Sequence, residues 1–226
     1  MTRTHIPAVT LAVFDLDGTL VDSLPDLADA AREMMARYGL PRPDDDVIRG
    51  MIGDGAGVLV ERLLAFGGAS PEIAPEKAIA EFVALYTPRS SRLTRPFPGT
   101  REALDTLRGR GIACAVCTNK PEAPARDILQ ALGLSDAFVA LAGGNTFPWR
   151  KPDPRHLLGV IELAGHAPEN AVMIGDHHND LLAAHGAHVR GIFAEWGYGT
   201  PGNVSEPVIM AESISRIPAI IAEIPV

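Results

Sequence analysis

The chain has 226 residues, of which 46% are hydrophobic and 21% charged, with a formal net charge of −8. That is ample apolar material for a full core, and the acidic balance argues against a non-specific binder of nucleic acid or anionic membrane while leaving an anionic metabolite open, because a local cation site overrides the global field. No apolar run reaches the length of a membrane span, residues 1–10 lack the basic and apolar regions of a signal peptide, and a cytoplasmic location is the expectation.

An apolar, partly β-branched run over 9–14 predicts a strand buried on both faces. Two carboxylates, Asp15 and Asp17, arrive where that strand must end. Like charges so close raise each other's pKa, and desolvation adds to the cost. A cation is therefore expected to hold them ionised, and hard oxygen ligands of this kind suit Mg²⁺. Gly18 allows a sharp turn after the pair, and Thr19 adds a hydroxyl. A bare Asp-x-Asp is more often a strand-terminal turn, so the weight rests on the whole string, Asp15 to Ser23.

From 22 to 92 the pattern is helical. Ser23 and Asp26 have capping-box-like spacing, and Leu27, Ala28, Ala31, Met34, Met35 and Tyr38 then share one helical face up to Gly39. A short segment entered through 43–46 stops at Gly50, just before Gly53-Asp54-Gly55. Two amphipathic stretches follow, one carrying Val58, Leu59, Leu63 and Leu64, the other Ile79, Phe82, Val83 and Tyr86. Residues 89–99 read as a return linker without regular structure, because Pro88, Pro96 and Pro98 interrupt it. The domain reading is thus a core formed by 1–21 and 93–226, with a helical insertion over 22–92.

Beyond residue 99 helix-like and strand-like segments alternate. Helices over 100–110, 123–132, 154–164 and 180–184 lead to strands over 112–117, 138–142, 171–174 and 189–193, followed by 208–210 and a last helix. Such alternation predicts an α/β fold with a Rossmann-like parallel sheet covered on both faces. Cys114 and Cys117 have CxxC spacing, but on a strand their side chains point to opposite faces about 10 Å apart. Buried, inert thiols are expected rather than a disulfide or metal pair.

Ligands of parallel sheets bind at the carboxyl ends of the strands. The residues just past the predicted strands are Asp15, then Thr118-Asn119-Lys120, then Gly143-Gly144-Asn145, then Asp176, with Lys151 following the third. Phosphoryl transfer needs a nucleophile, cations on the phosphoryl oxygens and a proton donor for the leaving group. Asp15 can attack phosphorus to give an aspartyl-phosphate, and Asp17 can protonate the leaving alkoxide and then deprotonate water. Asp176, with Asp15 and the backbone carbonyl of Asp17, offers a half-shell for Mg²⁺. Thr118 offers a hydroxyl to a phosphoryl oxygen and Lys151 neutralises developing charge. Gly18 and Asn119, beside these groups, are further candidate substrate contacts. Lys151 is one of three lysines in a chain with seventeen arginines, which points to a need for a compact ammonium. Asp176 and Asp180 alone would read as carboxylates at a helix N-terminus.

The DxDGT stretch, Thr118, Lys151 and the Gly175-Asp176 to Asp180 acid pair together resemble the four motifs of the haloacid dehalogenase superfamily, over essentially the whole chain. The insertion at 22–92 is similar to the small helical cap of its subclass I. The strings VDSLPDLADA, RPFPGT, CTNK, GGNTFPWRKPDP and WGYG are similar to those of its phosphoglycolate phosphatases. The resemblance implies Mg²⁺-dependent hydrolysis of 2-phosphoglycolate to glycolate and phosphate, a small phosphorylated metabolite as partner, Asp180 supporting the metal acids, and a loop Gly53-Asp54-Gly55 that closes over the site and selects substrate.

The chain departs from the family pattern where His177 and His178 follow Asp176, where Asn145 replaces an acid, and where Trp149 fills a small or polar position. Trp149 and His177 are thereby candidates to reshape the mouth of the pocket. Imidazoles among His177, His178, His185 and His188 suit Zn²⁺ or Ni²⁺. Adjacent side chains are expected to point apart, however, and no flanking cysteine supports a closed site.

Three other readings share parts of this pattern. A receiver-type signalling domain uses similar acids, Thr and Lys, but has no insertion and no use for Asp17. A carbon–halogen hydrolase needs no metal and normally lacks the second acid. A phosphatase or mutase acting on a sugar phosphate differs only in its cap contacts, which one sequence does not reveal, and the oligomeric state is equally illegible.

Overall fold

The apolar run that opens the chain forms β1 (Leu11–Phe14), all four residues of which are fully buried. The computed structural model describes residues 9–203 and 208–224; the reading of 1–10 as lacking a signal sequence falls largely on 1–8, outside the described residues. After β1 come β2 (Val21–Asp22), α1 (Leu24–Arg37), α2 (Asp45–Arg49), α3 (Ala56–Phe66), α4 (Pro75–Tyr86) and β3 (Arg95–Pro96). The alternating part then runs α5 (Thr100–Gly109), β4 (Ala113–Cys117), α6 (Glu122–Ala131), β5 (Ala140–Ala142), α7 (Pro154–Leu163) and β6 (Ala171–Gly175). It closes with α8 (His178–Gly186), β7 (Arg190–Ala194), β8 (Ile209–Ala211) and α9 (Ile217–Glu223).

The sheet order is β5-β4-β1-β6-β7-β8, and every neighbouring pair is parallel. The fold is therefore a Rossmann-like α/β sheet with helices around it. Successive side chains of a strand face opposite sides. Ala12 and Phe14 accordingly pack with Leu104 and Leu107 of α5 and Ile128 of α6, whereas Leu11 and Val13 pack with Leu157 and Val160 of α7. In this register Phe14 lies opposite both Val116 and Ile174, so the chain leaves the three central strands at one common edge. Cys114 and Cys117 are free and buried, one in each face's cluster, and burial pushes both thiols up to about 12. No helix among the described residues is long and apolar enough to cross a membrane.

Helices α1 to α4 gather a third apolar cluster, with Met34, Met35, Ile48, Leu63 and Phe82 buried against one another. Two expectations for the ends of this insertion are corrected by the structure. The return segment is not wholly irregular, because Arg95–Pro96 pairs antiparallel with Val21–Asp22. A two-stranded edge tolerates proline, whose missing N–H has no partner to satisfy. The start of α1 holds no capping box, since the Ser23 hydroxyl has no hydrogen-bond partner. The backbone N–H groups of Ser23 and Leu24 donate instead to the Tyr198 hydroxyl, which itself donates to Asp22.

Asp26, fully buried in α1, turns to the return segment. Its carboxylate accepts from the backbone N–H groups of Leu93 and Thr94 and from the Thr94 hydroxyl, at 2.8–3.0 Å. Removing it leaves the two backbone N–H donors without their acceptor, while the Thr94 hydroxyl keeps the Ser90 carbonyl. Asp26→Ala is therefore expected to lower stability by about 3 kcal/mol, or roughly 6–12 °C in Tm for a chain of this size. Thermal unfolding of the two proteins checks this, and a shift under about 2 °C would show that the Asp26 bonds do not hold the segment.

Candidate active site

The three central strands end in polar residues because each chain leaves the buried sheet there. Asp15 follows β1 and extends its ladder by donating from its backbone N–H to the Ile174 carbonyl. Thr118 follows β4, Asp176 follows β6, and the loop after β5 carries Lys151 back to the same rim. Lys151 Nζ lies 3.0 Å from Asp15 Oδ1 and donates to Asp180 Oδ1 at 2.5 Å and to the Cys117 carbonyl at 2.6 Å. Burial opposes its charge, but Asp15 and Asp180 outweigh burial and raise its pKa.

One carboxylate oxygen from each of Asp15, Asp176 and Asp180 lies within 4.8 Å of the other two. Asp176 Oδ1 accepts from the Thr19 hydroxyl at 2.8 Å, and its Oδ2 accepts from the backbone N–H groups of Tyr198 and Gly199. Even so, burial and then the nearby Asp15 charge push Asp176 up to about 6. Asp180 closes a capping box at the start of α8, accepting from the His177 N–H. Burial, offset by Lys151 but reinforced by Asp15 and Asp176, holds it above the usual carboxylate range. Three buried acids thus face one ammonium, an arrangement that favours an additional hard cation among their oxygens. Gly18 permits this packing. Its φ is +87°, and a Cβ there would sit 2.3 Å from Asp176 Oδ2.

Asp15, Asp17, Thr118, Asn119 and Lys120 also line a cavity walled on its far side by apolar groups of α1, α3 and α4. Within it, Lys120 Nζ lies 2.9 and 3.1 Å from the two carboxylate oxygens of Asp17. Gly53 and Gly55 are part of the cavity wall, tied to the rim where Asn119 Nδ2 donates to the Gly53 and Lys151 carbonyls. Asp54 is outside the lining. It accepts from Asn179 Nδ2 at 2.7 Å and pairs with Arg62 at 2.6 Å. Burial pushes it up, but those two partners prevail and its pKa is lowered.

Residues 12–194 match the family described as haloacid dehalogenase-like hydrolase. The chain belongs to that family. This hydrolase is 39% identical over 216 residues to the phosphoglycolate phosphatase of Agrobacterium fabrum, covering 95% of this chain and 93% of that one. It is 40% identical over 209 residues to phosphoglycolate phosphatase 1 of Pseudomonas aeruginosa, covering 90% and 76%. A crystal structure described as a predicted phosphoglycolate phosphatase from Haemophilus somnus superposes with a TM-score of 0.86 at 30% identity, covering 94% of this hydrolase and 97% of that chain.

The departures from the family pattern sit elsewhere than the sequence suggests. Trp149 stacks under Arg155, with the guanidinium 4.4 Å from its ring centroid, and is not in the cavity wall. His177 is not in that wall either; it caps α8 and packs against Gly53 and Gly199. Asn145 Oδ1 accepts from the Glu122 N–H at the start of α6. The rings of His177 and His178 do not point apart, since their centroids are 4.0 Å from each other and Asp54 lies beside both. Lys120 received no role in the sequence reading. Its signal was available, because it is as rare a lysine as Lys151 and follows a strand directly.

Proposed function

We propose that this hydrolase is a Mg²⁺-dependent phosphomonoesterase that works through an aspartyl-phosphate on Asp15, with 2-phosphoglycolate as its substrate and the cytoplasm as its place of work. The observation that carries the chemistry is Asp15 itself: it lines the cavity, and its Oδ1 sits 3.0 Å from the Lys151 ammonium. The names and 39–40% identity of the relatives above support the substrate. We take 22–92 as a cap over a core made of 1–21 and 93–226, a division supported by the separate apolar cluster of α1 to α4.

In this reading a lone pair of the Asp15 carboxylate forms the new O–P bond while the ester P–O bond breaks towards the leaving oxygen. Asp17 gives that oxygen its proton. Water then attacks the phosphorus, Asp17 takes the proton back, and the Asp15–phosphorus bond breaks to release phosphate. Lys151 and the Thr118 hydroxyl neutralise and orient the phosphoryl oxygens, with the backbone at Gly18 and Asn119 and the loop Gly53-Asp54-Gly55 framing the substrate. Asp15, the Asp17 carbonyl and Asp176 would hold Mg²⁺, with Asp180 steadying Lys151 and the acid cluster. The metal supplies charge neutralisation on the phosphoryl group.

The test is a panel of phosphate esters assayed with Mg²⁺. Phosphoglycolate should have the highest kcat/KM, above sugar phosphates and nucleotides. Excess chelator should abolish turnover and added Mg²⁺ should restore it. Full activity under chelation would remove the metal from this account, and a preferred sugar phosphate would replace the substrate.

A further inference from the structure

The cavity beneath α1, α3 and α4 is an unequal environment. Among the described residues, its lining includes three charged side chains, those of Asp15, Asp17 and Lys120, and Lys120 is the only cation of the three. The opposite wall is apolar, with Leu27, Leu59 and Phe82. The Lys120 ammonium is buried, 4.6 Å from the centre of the Tyr86 ring of α4, and both oxygens of Asp17 are bound to it. Burial opposes that charge, but Asp17 and Tyr86 outweigh burial and raise its pKa.

A buried ammonium with one exchangeable anion is a receptor for another anion. We propose that Lys120 binds a second anionic group of the substrate, a carboxylate near the phosphate ester, and that this carboxylate displaces Asp17 from it. The inference rests on the phosphomonoesterase reading and narrows its substrates to phosphorylated carboxylic acids. A single ammonium balances one carboxylate, whereas a second phosphate would leave charge uncompensated against apolar walls. The exchange has a consequence for the chemistry. While both its oxygens are bound to Lys120, Asp17 is held away from a leaving group. An ester that brings its own carboxylate releases Asp17, which then takes a proton from solvent to give to the leaving oxygen, and an ester without one leaves it bound to Lys120. Lys120 thereby joins recognition of the acid to readiness of the proton donor, and selectivity appears in kcat as well as in KM.

The experiment compares phosphoglycolate with ethyl phosphate, which lacks the carboxylate, in the wild type, Lys120→Met and Lys120→Arg. Lys120→Met should lower the ratio of kcat/KM values, phosphoglycolate over ethyl phosphate, by about 10- to 100-fold, the worth of one charge-assisted hydrogen bond. Lys120→Arg, which keeps the charge, should retain most of the preference. Glycolate should inhibit aryl phosphate hydrolysis by the wild type and lose that effect in Lys120→Met, while inorganic phosphate inhibits both alike. Equal losses on both esters, or glycolate inhibition unchanged in Lys120→Met, would overturn the proposal. If the wild type with Mg²⁺ hydrolyses neither ester, it is the phosphomonoesterase reading that fails. Calorimetric titration of glycolate into wild type and Lys120→Met then decides the role of Lys120 without turnover: binding lost in the variant supports it, and equal binding or none overturns it. Thermal unfolding of both variants separates a lost site from a lost fold.

Discussion

Asp15→Asn is expected to abolish hydrolysis of every phosphate ester, a loss of at least about 10⁵-fold, on the scale seen when a covalent nucleophile is removed. The reason is geometric as well as chemical. Asp15 lines the cavity 3.0 Å from Lys151, whereas the other acid in the lining, Asp17, has both oxygens on Lys120. A neutral amide at position 15 is a poor nucleophile and nothing else in the lining replaces it. The fold should survive the change. Asp15 raises the pKa of both Asp176 and Asp180 and also helps hold the Lys151 charge, so removing its own charge relieves repulsion among the acids while losing one attraction to Lys151, which keeps Asp180. Tm is accordingly expected to stay close to that of the wild type, which distinguishes a lost reaction from a lost structure. Retained turnover within about 100-fold of wild type, above what an essential nucleophile allows, would remove Asp15 from this role.

What the sequence made legible follows from two strong rules. Buried parallel strands announce themselves as apolar runs, and ligands gather where those strands end. Four segments far apart in the chain therefore located one rim, and Asp15, Thr118, Lys151 and Asp176 meet there because β1, β4 and β6 are adjacent and in register. The misreadings have a shared cause, which is that local spacing was asked to predict distant partners. Asp26 looks like a member of a capping box until its carboxylate is found on Leu93 and Thr94, across the whole insertion. Arg95–Pro96 looks irregular until Val21–Asp22 supplies its partner strand. Lys120 shares the rarity and strand-end position of Lys151, but its role comes from Asp17 and Tyr86, one on the loop after β1 and one on α4. Burial of a lysine is set by what folds over it, and no periodicity records that.

Asp17→Asn should give a different result from Asp15→Asn, and the difference tests the division of labour between the two acids. Asparagine keeps the shape and can still meet Lys120, but it carries no transferable proton. With an alkyl phosphate, whose leaving oxygen needs that proton, kcat should fall about 10²–10⁴-fold, the usual worth of general acid–base catalysis. With an aryl phosphate whose phenol is acidic, formation of the phosphoenzyme should be nearly unimpaired, because the leaving group departs as the anion. Breakdown still lacks its base, so the aspartyl-phosphate should accumulate with that substrate and a burst of phenol should precede a slow steady state. Rapid quench, digestion and mass spectrometry should then find the added phosphate on the peptide carrying Asp15, at Asp15 and not at position 17. The same deficit for both leaving groups, with no burst, would show that Asp17 acts by positioning or metal binding alone. Phosphate recovered on Asp17 of the wild type would reverse the assignment of nucleophile and acid.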